Sequence, residues 1–277
     1  MAALRGGSRA APPSAVGRAS SGGGFSWIGL HALYIKEVRR FLVVWVQTIV
    51  GPVIATLLFV AVFAVVLRER SPEIAGLSYL EFIAPGLIMM AMLQNAFANT
   101  SSSILIAKLN GTIADVLSAP LGPLELVAGY TLGAITRAVV VGSVVALAMA
   151  PLGVLQAAAP TRILLFGLGG SLLFALLGLV GGIWAERMEH IAFMSNVVVA
   201  PLTILSGTFY GIEQLPQGMQ GLGLANPVFY VIDGFRGGFT GHAEGSPAIA
   251  TAVVVIANLC LTGVCVRLFA TGWRLKP

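Results

Sequence analysis

The chain is poor in charge. Lys and Arg number 16 and Asp and Glu 11 among 277 residues, so charged side chains make up 10% of the sequence, where soluble domains carry about 25%. Hydrophobic residues make up 57% and the mean hydropathy is +0.92. That leaves too little polar surface to cover a globule in water, so most of the chain must be solvated by lipid and a soluble enzyme is excluded.

The residues that carry chemistry are equally scarce. The three lysines, Lys36, Lys108 and Lys276, do not follow a glycine, so a Gly-Lys-Ser/Thr phosphate loop is excluded. His31, His190 and His242 lack metal-ligand spacing, and Glu186, Arg187, Glu189 and His190 read as a salt-bridged cytoplasmic turn. No Gly-x-Ser-x-Gly elbow occurs, and no apolar run holds the paired acids of a proton-driven carrier. No catalytic residue, metal or cofactor is therefore assigned. Cys260 and Cys265 lie in one apolar stretch, roughly 7.5 Å apart along a helix axis, which disfavours a disulfide.

Long apolar runs are what the sequence does have. Six windows reach the roughly 20 residues that a spanning helix requires, at about 42–67, 82–107, 131–155, 163–185, 191–212 and 246–266. The expected fold is an all-α integral membrane protein with six transmembrane helices over residues 25–277. With an even number of spans both termini share a side. On that side fall Arg5, Arg9, Arg18, Lys36, Arg39, Arg40, Lys108, Arg187, Arg267, Arg274 and Lys276, against Arg68, Arg70, Arg162 and Arg236 opposite. Retention of positive charge places both termini in the cytoplasm. The same flanking positions account for the net charge of +5 through membrane orientation and anionic lipid, so nucleic acid is not an expected partner.

Residues 1–24 hold Ala, Gly, Ser, Pro and Arg without an acid, and are expected to be a disordered cytoplasmic tail rather than a signal or transit segment. Trp27, Leu30, Tyr34, Val38 and Phe41 then recur at helical spacing, with His31, Glu37, Arg39 and Arg40 on other faces. This predicts an amphipathic helix lying in the cytoplasmic interface. Between spans two and three, Thr112 and Asp115 predict a capping-box-like start to a short helix ended by Pro120. Its apolar face, Ile113, Val116 and Leu117, has no evident cover in the loop and is expected either to dock into a partner or to lie on the membrane surface. The loop from Glu213 to Pro247 is long and apolar, with Pro216 and Pro227 at first-turn positions. It predicts two short re-entrant helices at the outer interface, their aromatics at headgroup depth.

Polar residues inside the runs are the remaining signal. Asn95, Asn99 and Ser103 share one face of the second span, suited to helix contacts or to a translocation surface. Arg137, the sole ionised group within a long run, could snorkel to the cytoplasmic interface or meet a substrate. Asn95, Asn99 and Ser103 are also the candidate seam with a second copy, because a single aliphatic bundle offers them few partners. The pairs Gly129/Gly133, Gly178/Gly182 and Gly207/Gly211 have the spacing for close helix approach, and Pro201 is expected to kink the fifth span.

The run Asp115-Val116-Leu117-Ser118-Ala119-Pro120-Leu121-Gly122-Pro123-Leu124-Glu125-Leu126 carries a family resemblance. So do Gly207-Thr208-Phe209-Tyr210, Leu215-Pro216 and Asn226-Pro227-Val228-Phe229-Tyr230-Val231-Ile232-Asp233-Gly234-Phe235-Arg236. Over nearly the whole chain after residue 26, it resembles the ABC-2 type exporter permeases of bacteria, close to those for drugs, nodulation factors and polysaccharides. The resemblance implies a homodimer in the bacterial inner membrane, partnered by a separate ABC ATPase and moving an amphipathic substrate. It also implies an interface helix with Trp27, Tyr34, Arg39 and Arg40, a coupling helix with Thr112, Ile113, Asp115, Val116 and Leu117, and outer re-entrant helices with Asn226, Pro227, Asp233 and Arg236. The cargo expected is a drug or a lipid-linked or glycan-like molecule, although the spans lack the rows of aromatics found in polysaccharide-type members. A free-standing secondary transporter and a membrane-embedded enzyme are the alternatives.

Overall fold

The computed structural model describes residues 25–66, 73–74, 76–214 and 217–275. The N-terminal tail, Arg68, Arg70, Leu215, Pro216 and Lys276 lie outside the described residues. The chain begins with α1 (Trp27–Val43), a π-helical turn at Val46–Val50 and α2 (Gly51–Val66), followed by a two-stranded hairpin of β1 (Glu73–Ile74) and β2 (Leu77–Ser78). Next come α3 (Tyr79–Leu109), α4 (Ile113–Ser118), α5 (Pro123–Met149) and α6 (Pro160–Trp184). The fifth span is built from α7 (Met188–Met194), α8 (Ala200–Thr203) and two π-helical turns, and α9 (Gln217–Ala225), α10 (Pro227–Thr240) and α11 (Pro247–Thr271) complete the fold.

Six helical stretches among the described residues are long and apolar enough to cross a membrane: Val46–Phe63, Tyr79–Leu109, Pro123–Leu152, Pro160–Trp184, Met188–Thr208 and Pro247–Thr271. The third starts at Pro123 rather than near residue 131. Proline suits a first-turn position, and the Glu125 carboxylate accepts the Gly122 N–H at 2.5 Å, satisfying a donor at the helix start.

α3 is the hub. Ser78 and Glu81 cap its start reciprocally, with Ser78 N–H donating to Glu81 Oε2 at 2.9 Å. In its most apolar window 78% is buried inside the bundle, against 17% for the first span and 22% for α11, which leave most of their surface to lipid or another chain. It meets α6 along a glycine seam. A Cβ at Gly178 would fall 2.5 Å from the Phe97 carbonyl oxygen, and one at Gly182 2.7 Å from that of Ser101. Backbones approach this closely only without side chains, and Thr100 Oγ1 uses the proximity to donate to the Ala175 carbonyl at 2.8 Å. Gly129 and Gly133 form the seat of α1 on α5 in the same way, under Leu33 and the Cβ of Glu37. Gly207 and Gly211 differ: Gly207 has φ +75° and breaks the end of the fifth span instead of packing a helix against it.

Pro201 follows the π-helical turn Ser195–Val199, and Pro52 follows Val46–Val50. An extra residue in the turn relieves the clash of a proline ring with the preceding carbonyl, so each span is re-aimed within a continuous helical path.

Candidate functional site

The buried face of α1 is Leu30, Leu33, Glu37 and Phe41, whereas Trp27 is 73% exposed and stacks edge-on against Phe25. The expected face is thus rotated, and Glu37, read from the sequence as outward, is 0% exposed. The reason is polar compensation from α3. Ser103 Oγ donates to Glu37 Oε1 at 2.7 Å, and the Arg40 guanidinium lies 3.1 Å from Oε2. Arg40 also donates to the Asn99 carbonyl and Oδ1 at 2.6 and 3.0 Å and to Ser102 Oγ at 3.1 Å. Tyr34 Oη pairs with Thr136 Oγ1 on α5 at 3.1 Å, while Arg39 is exposed. One carboxylate and one guanidinium from α1 therefore satisfy most of the polar face of α3, leaving Asn99 Nδ2 without a partner among the described residues.

This overturns the premise that Asn95, Asn99 and Ser103 need a second copy for partners. Ser103 belongs to Glu37, Asn99 to Arg40, and Asn95 Oδ1 accepts from Arg137 Nε and Nη2 at 3.2 and 2.8 Å. Arg137 is held by α3 midway along α5. The early start of α5 removes the expectation that it sits near a helix end.

At the end of the bundle that carries α4, Thr112 lies in helical conformation without a capping bond, so the expected capping box is absent; its Oγ1 donates back to the Ala107 carbonyl at 3.4 Å. Ile113 is buried with Ile104, Ala107, Leu126 and Val127, and Val116 and Leu117 pack against the same cluster. The apolar face thus has cover from its own chain, and the surface left to a partner is Thr112, Ala114, Asp115 and Ser118. Lys108, just before α4, donates to the Ile183 and Ala185 carbonyls at 2.7 and 2.6 Å, and Arg274 donates to Trp184 at 2.9 Å. Two cations thereby cap the C-terminus of α6, where the helix dipole is negative.

The long segment after the fifth span forms a second polar cluster. Asn226 Oδ1 accepts from Val228 N–H at 3.0 Å to cap α10, with Pro227 in the first turn, and Nδ2 donates to the Leu202 carbonyl at 3.1 Å and Ser206 Oγ at 2.8 Å. α10 is buried against α3 and α6. Phe229 and Phe235 are buried core residues rather than surface aromatics. Arg236, 1% exposed, binds Asp233 Oδ1 at 3.1 Å, Glu244 Oε1 at 3.4 Å and the Gly207 carbonyl at 2.9 Å, with its guanidinium 3.9 Å over the Phe82 ring. Asp233 in turn accepts from Glu244 and Gly245 N–H at 3.0 and 2.9 Å. The cluster staples α10 to the broken end of the fifth span and to the approach to α11.

Glu37, Lys108, Glu125 and Glu244 were not singled out in the sequence as site residues. For Glu37 a signal was available: it continues the Leu30, Leu33, Phe41 register and has a guanidinium three residues away. Glu125 holds the start of α5 and also accepts the Ser26 N–H at the start of α1. Among the described residues no cluster of three His, Cys, Asp or Glu could hold a metal.

Comparison with known proteins bears on the same elements. Residues 29–240 match the profile of the family described as ABC-2 type transporter. The Inner membrane transport permease YadH of Escherichia coli (strain K12) is 35% identical over 250 residues, covering 90% of this chain and 98% of that protein. Nodulation protein J of Rhizobium leguminosarum bv. viciae is 25% identical over 245 residues, covering 86% of this chain and 87% of that protein. Nodulation protein J of Rhizobium meliloti (strain 1021) is 23% identical over 239 residues, covering 86% and 88%. With six apolar helices and a profile match running from α1 through α10, the chain belongs to the ABC-2 type transporter family, the membrane subunits of ABC transporters.

Proposed function

We propose that the chain is the permease subunit of a bacterial inner-membrane exporter, that a separate ABC ATPase drives it, and that two copies enclose the pathway for an amphipathic substrate. Both termini face the cytoplasm, and α4 is the coupling helix. The observation that carries this reading is the mounting of α4. Ile113 is rooted among α3 and α5 side chains, while Thr112, Asp115 and Ser118 face outward. Because α4 bridges the end of α3 and the start of α5, a displacement delivered to it reaches two spans at once. Closure of the ATPase on ATP would draw the two α4 helices together and rock the spans toward an outward-open state. α1, clasped to α3 through Glu37 and Arg40, is the interface helix that moves with them. The exposed apolar faces of α2 and of the fifth span, including Leu58, Val62, Val65 and Val197, are where a second copy would lie.

The test is Asp115→Lys, which reverses charge on the outward face, alongside Leu117→Pro, which breaks the helix. Both variants should insert normally yet lose co-purification with the ATPase or its stimulation of transport. Undiminished coupling in both would remove α4 from the role. Transport in vesicles by the chain alone on an ion gradient would point instead to a free-standing carrier.

A further inference from the structure

Most polar groups within the spans are satisfied inside the chain; apart from the buried Asn99 Nδ2, Tyr130 Oη and Asn258 Oδ1, which have no partner among the described residues, the unpartnered groups gather at one open site. Gln94, Asn95 and Ala98 on α3, and Ser195, Asn196, Val199 and Ala200 on the π-helical turn of the fifth span and the start of α8, line an open cavity of about 280 Å³. Gln94 and Asn196 have no hydrogen-bond partner among the described residues. An amide in a span without a partner costs free energy that a bound polar group would recover. The π-helical turn matters because it departs from the regular ladder where Ser195 and Asn196 are presented.

Asn95, which lines this cavity, is also the sole hydrogen-bond partner of Arg137 among the described residues. Nε and Nη2 both donate to its Oδ1, so several of the five guanidinium N–H donors remain unused. No carboxylate among the described residues lies within 4.0 Å of Arg137, whereas Arg40 has Glu37 and Arg236 has Asp233 and Glu244. By helical rise, Arg137 stands about 21 Å from the start of α5. Its charge is therefore half-buried within a span and without a counter-ion among the described residues, at a solvation cost.

We propose that this cavity receives the anionic headgroup of an amphipathic molecule, with Gln94, Asn95 and Asn196 supplying the hydrogen bonds and Arg137, which is held on Asn95 Oδ1 and is not itself a lining residue, supplying the opposite charge. The assignment deepens the exporter reading and rests on it, because it names the class of cargo: an amphiphile bearing a phosphate, carboxylate or sulfate rather than a neutral or cationic one. A planar guanidinium matches such oxyanions in shape and charge. The tail of the molecule would remain in the apolar surroundings of the spans.

The test uses the full-length chain in a neutral maltoside detergent and follows thermal unfolding by tryptophan fluorescence. Dodecyl phosphate should raise the midpoint saturably; dodecanol, its uncharged match, and inorganic phosphate should not. Arg137→Gln should raise the half-saturating dodecyl phosphate concentration at least about tenfold, the loss of one charge-assisted contact. Arg137→Lys should keep most of the effect. Asn196→Leu, on the exposed rim where folding is least at risk, should weaken binding with Arg137 intact. Equal saturation in wild type, Arg137→Gln and Asn196→Leu would overturn the site. An equal response to inorganic phosphate would overturn the amphiphile and leave a free-anion site. A change of oligomeric state in Asn196→Leu without a change in binding would assign the cavity to the contact between copies. The assay needs no ATPase, so it can fail while α4 coupling stands, and it can succeed if α4 coupling fails.

Discussion

Arg236 and Arg137 are both arginines turned into the bundle, and their surroundings are opposites. Arg236 is flanked by two carboxylates, a carbonyl and an aromatic face, so both terminal nitrogens and the face of its guanidinium are engaged by its own chain. Arg137 meets one neutral oxygen. A buried charge surrounded by counter-ions is a fixed staple, because removing any partner strands the others in low dielectric. A charge left with one amide is free to accept a new partner at little structural cost. The region around α10 is accordingly built to hold shape, and the wall between α3 and α5 is the place where the molecule has kept a charge in reserve.

That contrast can be broken most decisively at Asp233. Asp233→Ala leaves Arg236 with Glu244, at 3.4 Å, as its remaining carboxylate and frees the Glu244 and Gly245 N–H donors. It should destabilise the detergent-solubilised chain by about 3–5 kcal/mol, read from chemical unfolding. Stability within error of wild type would mean that the outer cluster is no staple.

Glu37→Gln should have the next largest effect. It removes the counter-ion of Arg40 but keeps an acceptor for Ser103, so a loss of about 1.5–3 kcal/mol is expected, with earlier thermal release of α1 detected by hydrogen exchange at Leu33 to Phe41. Uniform loss of protection along the whole chain would contradict a local clasp.

Arg137→Met sharpens the comparison from the other side. Because no ion pair is lost and Asn95 borders an open cavity where water can replace the guanidinium, stability should change by less than about 1 kcal/mol. A loss as large as that of Asp233→Ala would show that Arg137 is structural and would remove the reserve charge.

How much of this was legible in the sequence varied with the kind of residue. The α4 segment could be located from Asp115 through Pro123, and the α10 cap from Asn226-Pro227, because caps and prolines act through neighbours in sequence. The face of α1 was misread because its periodicity fits either register when aromatics are counted as buried. The register is decided by Ser103 and Asn99, more than fifty residues away: Ser103 donates to Glu37 and Asn99 accepts from Arg40. The apolar side of α4 looked unpartnered for the same reason: its cover, Ile104 and Leu126, lies on the two flanking spans and becomes visible only once those spans pack.

Composition and the spacing of apolar runs determined that this is a multi-pass membrane protein with six stretches long and apolar enough to cross, since a run of some 20 consecutive apolar residues is a local property that no tertiary contact can reverse. They also determined that ATP is not bound through a Gly-Lys-Ser/Thr loop. Tertiary structure decided which polar residues are spent on each other and which remain available. The membrane makes every polar group seek a partner, but the partner is chosen by which helices the glycine seams allow to touch.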